Sequence, residues 1–185
     1  FHPSGKPKDT EINQILAVGR LAARKGYGSL LKAFAIVNEK IPNSELLIVG
    51  RGHLKNRLEK QAIKFGISSS VSIDSGMPFD KLAEKFRNAD LVVYPSYYEG
   101  QGLIPLEAMA SGTPVATVDH GPLPEMVDDS VGGLFTMANI DSMSSVILSL
   151  LSDKKGLEVR GNAGRQRVLE NYTYAKNAEK FSQIY

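Results

Sequence analysis

The stretch YYEGQGLIPLEAMASGTPV, Tyr97 to Val115, decides how this chain is read. It lies between two short apolar runs, Leu91–Tyr94 and Val115–Val118, each of strand length. Gly100 and Gly102 discourage helix at its start, while Pro105 is acceptable in a first turn, so the spacing predicts a helix over about 104–111. Strand, loop, helix, strand is a βαβ unit, which brings its two strands side by side and parallel. Glu99 then hangs on the loop and Glu107 lies about one turn into the helix, with seven residues between them.

The same alternation extends in both directions. Apolar runs at Ile15–Val18, Leu46–Val49, Val71–Ile73 and, with a fainter pattern, Gly133–Phe135 are separated by amphipathic segments. This predicts an α/β fold, a Rossmann-like doubly wound parallel sheet of about six strands. Leu30, Leu31, Phe34 and Val37 recur at helical spacing, which predicts a helix over 27–40 ending before Pro42. Further helices are predicted near 53–65, 79–88, 140–151, 155–171 and 174–184. The polar run PSGKPKDTE reads as a linker, so residues 1–11 are expected to join a domain outside this sequence to one domain over 12–185. The opening Phe1 in place of Met points to a piece of a longer protein.

With 185 residues, 42% hydrophobic and 23% charged, the chain suits one ordinary globular core. A formal charge of +2 and the lack of basic blocks interleaved with aromatics argue against nucleic acid as a partner. There is no Cys, which removes disulfides, thiolate metal sites and cysteine nucleophiles, and makes a reducing compartment the default. The expected location is the cytoplasm, with a peripheral place at the inner membrane surface left open.

In a doubly wound sheet the ligand lies outside the carboxyl ends of the strands, so the loops after Val18, Val49, Ile73, Tyr94 and Val118 are expected to share one rim. The first is Gly19-Arg20-Leu-Ala-Ala-Arg24-Lys25-Gly26, three cations between two glycines just before a helix. An Arg fork, a Lys point charge and helix-terminal amides suit a diphosphate, although a basic solvated turn has the same composition. The second loop, Gly50-Arg-Gly52-His-Leu-Lys55, lacks the third glycine of a dinucleotide fingerprint and follows the second strand, so an NAD enzyme is not expected. Its glycines allow backbone to approach a ligand or make a plain tight turn. His2, His53 and His120 have no partner at ligand spacing and are expected on the surface. No Asp-x-Asp and no Gly-x-Ser-x-Gly occurs, so neither a common metal-diphosphate motif nor a serine-hydrolase elbow is visible. For either glutamate alone, a solvated loop residue or a helix-dipole partner is the simpler reading; as a pair they could grip vicinal hydroxyls.

Together, Gly19-Arg-Leu-x-x-x-Lys25-Gly26, Glu99-Gly-x-Gly102-Leu-x-x-Leu-Glu107-Ala-Met-Ala-x-Gly112-x-Pro114-Val115 and Pro124-Glu125-Met-Val127 resemble the glycosyltransferase family 4 group, retaining enzymes of the GT-B fold. Similarity runs from about Ile15 to Leu151. The resemblance implies the C-terminal, donor-binding half of a two-domain enzyme that moves a sugar from a nucleoside diphosphate sugar, a UDP- or GDP-sugar, without a metal or other cofactor. It implies that Arg20 and Lys25 bind the diphosphate and that Glu107 binds the ribose. Glu99 is then the catalytic-site carboxylate, with Gln101, Gly102 and Leu103 facing the sugar and its phosphate and Gly76, Met77 and Pro78 beside the base. The acceptor, a glycan, lipid or small molecule, would come through the absent N-terminal domain, and this piece alone is expected to be inactive. Gln101 stands where the family usually has Phe, and the loop His120-Gly-Pro-Leu-Pro124 replaces a more usual small-residue loop. A GT-B-like sugar-nucleotide epimerase and a non-catalytic nucleotide-binding module are the alternatives.

Overall fold

A computed structural model describes residues 1–3 and 11–182. Six parallel strands form one sheet in the order β3-β2-β1-β4-β5-β6: β1 Asn13–Val18, β2 Ser44–Val49, β3 Val71–Asp74, β4 Leu91–Tyr94, β5 Val115–Val118 and β6 Gly132–Phe135. The interior strands β4 and β5 are buried at every position. Covered on both faces, such strands lose the alternation of a half-exposed sheet and read as continuous apolar runs. That is why they stand out in the sequence. The faint run at 133–135 is a true strand as well.

The helices are α1 Tyr27–Lys40, α2 Lys55–Lys64, α3 Phe79–Asn88, α4 Leu103–Ala110, α5 Leu123–Met126, α6 Ile140–Ser152, α7 Lys154–Asn171 and α8 Tyr174–Ser182. α1 packs with α2 and α6, and α4 with α3 and α7, covering the two faces of the sheet. Leu30, Leu31, Phe34 and Val37 are all fully buried in the core, as their spacing predicts. α6 starts on Asn139, whose side chain accepts from Ser142 N–H at 2.9 Å, and α7 on Asp153, which accepts from Gly156 N–H at 2.8 Å. These caps separate two helices joined with almost no connection.

Two local features depart from the sequence reading. The stretch 120–124, read as loop, ends in the one-turn α5, where Leu123 and Pro124 open the turn and lose no helical hydrogen bond by doing so. Within the segment read as linker, Phe1 is half-buried, its ring meeting those of Phe79 and Phe86 edge-on at centroid distances of 5.1 and 5.4 Å. Most of that segment, 4–10, and the end of the last predicted helix, 183–184, lie outside the described residues. Among the described residues no helix is long and apolar enough to cross a membrane.

Candidate functional site

The strand order reverses between β1 and β4, so their loops diverge around a crevice where α/β sheets bind ligands. After β1 the chain makes a 3-10 turn, Ala23–Lys25, and then turns sharply into α1 at Gly26, whose φ is 70°. A Cβ at Gly26 would stand 2.1 Å from the Pro95 carbonyl oxygen, so the two loops meet backbone to backbone here. Tyr97 closes the seam: its N–H donates to the Arg24 carbonyl at 2.8 Å, and its hydroxyl lies 2.7 Å from Ser29 Oγ.

This seam places Lys25 under the β4 loop with only 9% of its surface exposed. Its Nζ donates to the Tyr94 hydroxyl at 3.1 Å, stands 5.2 Å from the Tyr94 ring centroid and pairs with Glu99 Oε1. Ser96 Oγ donates to the same carboxylate oxygen at 2.5 Å. Burial pushes the Glu99 carboxyl up, but hydrogen bonds from Lys25, Ser96 and Tyr94 outweigh it and hold the group below the usual carboxylate range. Burial, reinforced by the Glu99 charge, raises both Tyr27 and Tyr94 well above the ordinary phenol range. At neutral pH the crevice therefore contains an ionised carboxylate and two neutral hydroxyls.

The family resemblance casts Lys25 and Glu99 as separate ligands of phosphate and sugar; the fold joins them into one ion pair. Arg20, unlike the buried Lys25, is exposed on the β1 loop. Gln101 is exposed, and Leu103 is 57% exposed at the mouth of the crevice. Gly102 is buried at φ 70°, and a Cβ there would meet Leu123 and Met126 at 2.8 Å. The unforeseen α5 thus floors this loop, held in turn by α7 through Arg167, which donates to the Met126 carbonyl at 3.0 Å. Neither α1 nor α4 has a side-chain N-cap, so both helix starts present open amides to the crevice. Glu107, half-buried in α4, has no side-chain partner among the described residues, and burial raises its carboxyl above the usual range.

The remaining candidates lie farther along the rim. Gly76 and Pro78 are exposed and Met77 is half-buried, in the loop after β3 at the sheet edge. Three strand spacings separate that loop from the β4 loop, about 14 Å. Arg51 Nε donates to the Ser75 carbonyl at 3.0 Å and Lys55 Nζ to Ser75 Oγ at 2.9 Å, which ties the loop to the start of α2. Gly50 and Gly52 serve loop packing: Cβ atoms there would stand 1.9 Å from the Gly19 carbonyl oxygen and 2.3 Å from that of Leu21. All three histidines are exposed. Among the described residues no group of three or more His, Asp or Glu could hold a metal ion. Sequence reasoning missed Tyr94, Ser96 and Tyr97; the available signal was a hydroxyl at the carboxyl end of a buried strand, where an aliphatic residue would fill the same space.

A family model described as glycosyl transferases group 1 matches residues 2–167. The chain is 32% identical over 184 residues to MMP alpha-(1->4)-mannosyltransferase of Mycolicibacterium hassiacum, covering 97% of this chain and 44% of that protein. It superposes on sucrose-phosphate synthase from Thermosynechococcus elongatus with a TM-score of 0.88 at 29% identity, over 100% of this chain and 49% of the other. A third similar structure is the C-terminal domain of a glycosyl transferase group 1 family protein from Francisella tularensis, with a TM-score of 0.82 at 27% identity over 94% of this chain and 96% of that one. The chain spans less than half the length of the curated relatives it matches first. With the match running through both the Lys25 loop and the Glu99–Glu107 stretch, this chain belongs to the glycosyl transferases group 1 family.

Proposed function

We propose that this chain is the donor-binding half of a retaining, family 4 glycosyltransferase, which takes a sugar from a nucleoside diphosphate without a bound metal. The observation that carries the reading is the buried Lys25 ammonium at the strand-order reversal, between two open helix N-termini and against an ionised carboxylate. Breaking the bond between anomeric carbon and phosphate oxygen leaves negative charge on the diphosphate and positive charge on the ring. Lys25 and the helix-terminal amides meet the negative charge where water is scarce, so they favour the transition state over the ground state. Arg20 adds a mobile, solvent-side contact to the same phosphates. Glu99, with the backbone at Gln101, Gly102 and Leu103, orients the sugar hydroxyls, and Glu107 receives those of the ribose. The base lies beside Gly76–Pro78, a span of about 14 Å that an extended nucleotide sugar crosses. Residues 1–11 link to a preceding domain that brings the acceptor, a glycan, lipid or small molecule, and the enzyme works in the cytoplasm.

Calorimetric titration of this chain with UDP-, GDP- and ADP-sugars tests the reading and assigns the donor. Saturable binding of one class, abolished in Lys25→Ala, is expected; no binding of any, or binding indifferent to Lys25, overturns it. In the full-length protein, the product's anomeric configuration tests retention, and activity after chelation tests metal independence. An isomerised sugar formed from donor alone would mark an epimerase instead.

A further inference from the structure

We infer that Tyr94 is a positioning residue whose hydroxyl anchors the Lys25 ammonium, so that Glu99 is free to exchange its ion pair for the hydroxyls of a bound sugar. An ammonium has three donors. In Lys25 one goes to Tyr94 and one to Glu99, which leaves one for an incoming phosphate. The two protein partners differ in rigidity. Tyr94 is the last residue of β4, in register with Thr117 of β5, whose Oγ1 donates to the Tyr94 carbonyl at 2.9 Å. It is 3% exposed. Glu99 hangs on a loop between Ser96 and Gly102 with no ladder to hold its backbone. When a sugar competes for the Glu99 oxygens, the ammonium keeps its place only if its other partner stays, and the sheet ensures that Tyr94 does. A hydroxyl suits this role because it accepts from Lys25 without neutralising it. A carboxylate there would consume the charge meant for the phosphate.

The inference rests on the reading that Lys25 meets a diphosphate, and its test separates the two. The chain can be studied alone: it has its own continuous core, and an isolated domain of the same family with matching extent has been crystallised. UDP, GDP and ADP are titrated calorimetrically into the wild type, Lys25→Ala and Tyr94→Phe. For whichever nucleotide binds, Tyr94→Phe is expected to weaken affinity roughly tenfold, the worth of a hydrogen bond to a charged group. In carbon-detected NMR the Glu99 carboxyl of that variant should titrate at higher pH than in the wild type. Wild-type affinity overturns the role of Tyr94 while leaving Lys25 in place, whatever the Glu99 titration does, since Tyr94 also hydrogen-bonds Glu99 directly. Undiminished binding by Lys25→Ala overturns the underlying reading, and the role of Tyr94 with it. A measurement without any variant completes the test. In the wild type saturated with nucleotide sugar, the Lys25 ammonium protons should retain their cross-relaxation to the Tyr94 ring, and loss of that signal overturns the anchor.

Discussion

Glu99 and Glu107 belong to one stretch of sequence, yet the fold treats them in opposite ways. The Glu99 region is closed on itself: Lys25, Ser96 and Tyr94 surround the carboxylate and keep it ionised. The first turns of α4 are open: Glu107 is half-buried with no side-chain partner among the described residues, and burial favours its neutral form. One region has its polar groups paired within the protein; the other leaves a half-buried carboxyl without a side-chain partner among the described residues. The difference shows that burial alone does not set the protonation of a carboxyl group, since the partners brought by the neighbouring loop decide whether it is shifted down or up.

The sharpest way to break the contrast is Lys25→Ala, which turns Glu99 into a second buried carboxylate without a cation. Steady-state turnover of the full-length enzyme should fall by about two to three orders of magnitude, by analogy with removal of one oxyanion donor. Undiminished turnover would mean that the closed region has no part in the chemistry. Next comes Gly26→Ala, which forces a Cβ into the Pro95 carbonyl at a left-handed φ and should pry the two loops apart. Urea unfolding is expected to show a loss of about 2–3 kcal/mol, and an unaltered midpoint would show that the seam yields freely.

Acid titration of stability sharpens the comparison further. Glu99 binds protons less readily folded than unfolded, so its contribution is present above the ordinary carboxylate range and is lost as pH falls through its lowered folded value. Glu99→Gln should therefore cost about 1 kcal/mol near neutral pH, since solvent screens part of the ion pair, and little in acid. Glu107 has the reverse sign: the folded state favours its protonated form, so stability is greatest below the ordinary range and declines as pH rises through the raised folded value. Glu107→Gln should give a gain under about 1 kcal/mol near neutrality and flatten that limb. Denaturant melts of both variants between acid and neutral pH check the two slopes, and parallel profiles would erase the distinction drawn here. The smallest effect is expected at Arg20, where Ala should leave folding unchanged and weaken nucleotide binding by a few-fold, because an exposed cation is well screened.

Much of the architecture was legible because buried parallel strands are apolar throughout and their helices carry regular apolar stripes. Helix ends were placed within about two residues, as at α2 and α4. α5 escaped because Gly121, Pro122 and Pro124 carry the composition of a loop, and a single turn is too short to show a period. In the site, Lys25 and Glu99 were legible as chemistry-bearing residues at strand ends. Their pairing was not, since 74 positions separate them and only the strand order makes them neighbours. The sequence leaves Gly50 and Gly52 open between approach to a ligand and a tight turn for the same reason: the backbone they admit is that of another loop, which no local pattern reveals.

By itself the sequence determined the βαβ alternation, the rim on which the charged loops fall, and the residue types available there, because these follow from local hydrophobic period and turn chemistry. The tertiary structure alone decided which of those residues touch, in which direction each carboxyl is shifted, and that Tyr94 stands beside Lys25. Contacts and charge states depend on distances across separate loops and on exclusion of water, and both arise only once the sheet has assembled.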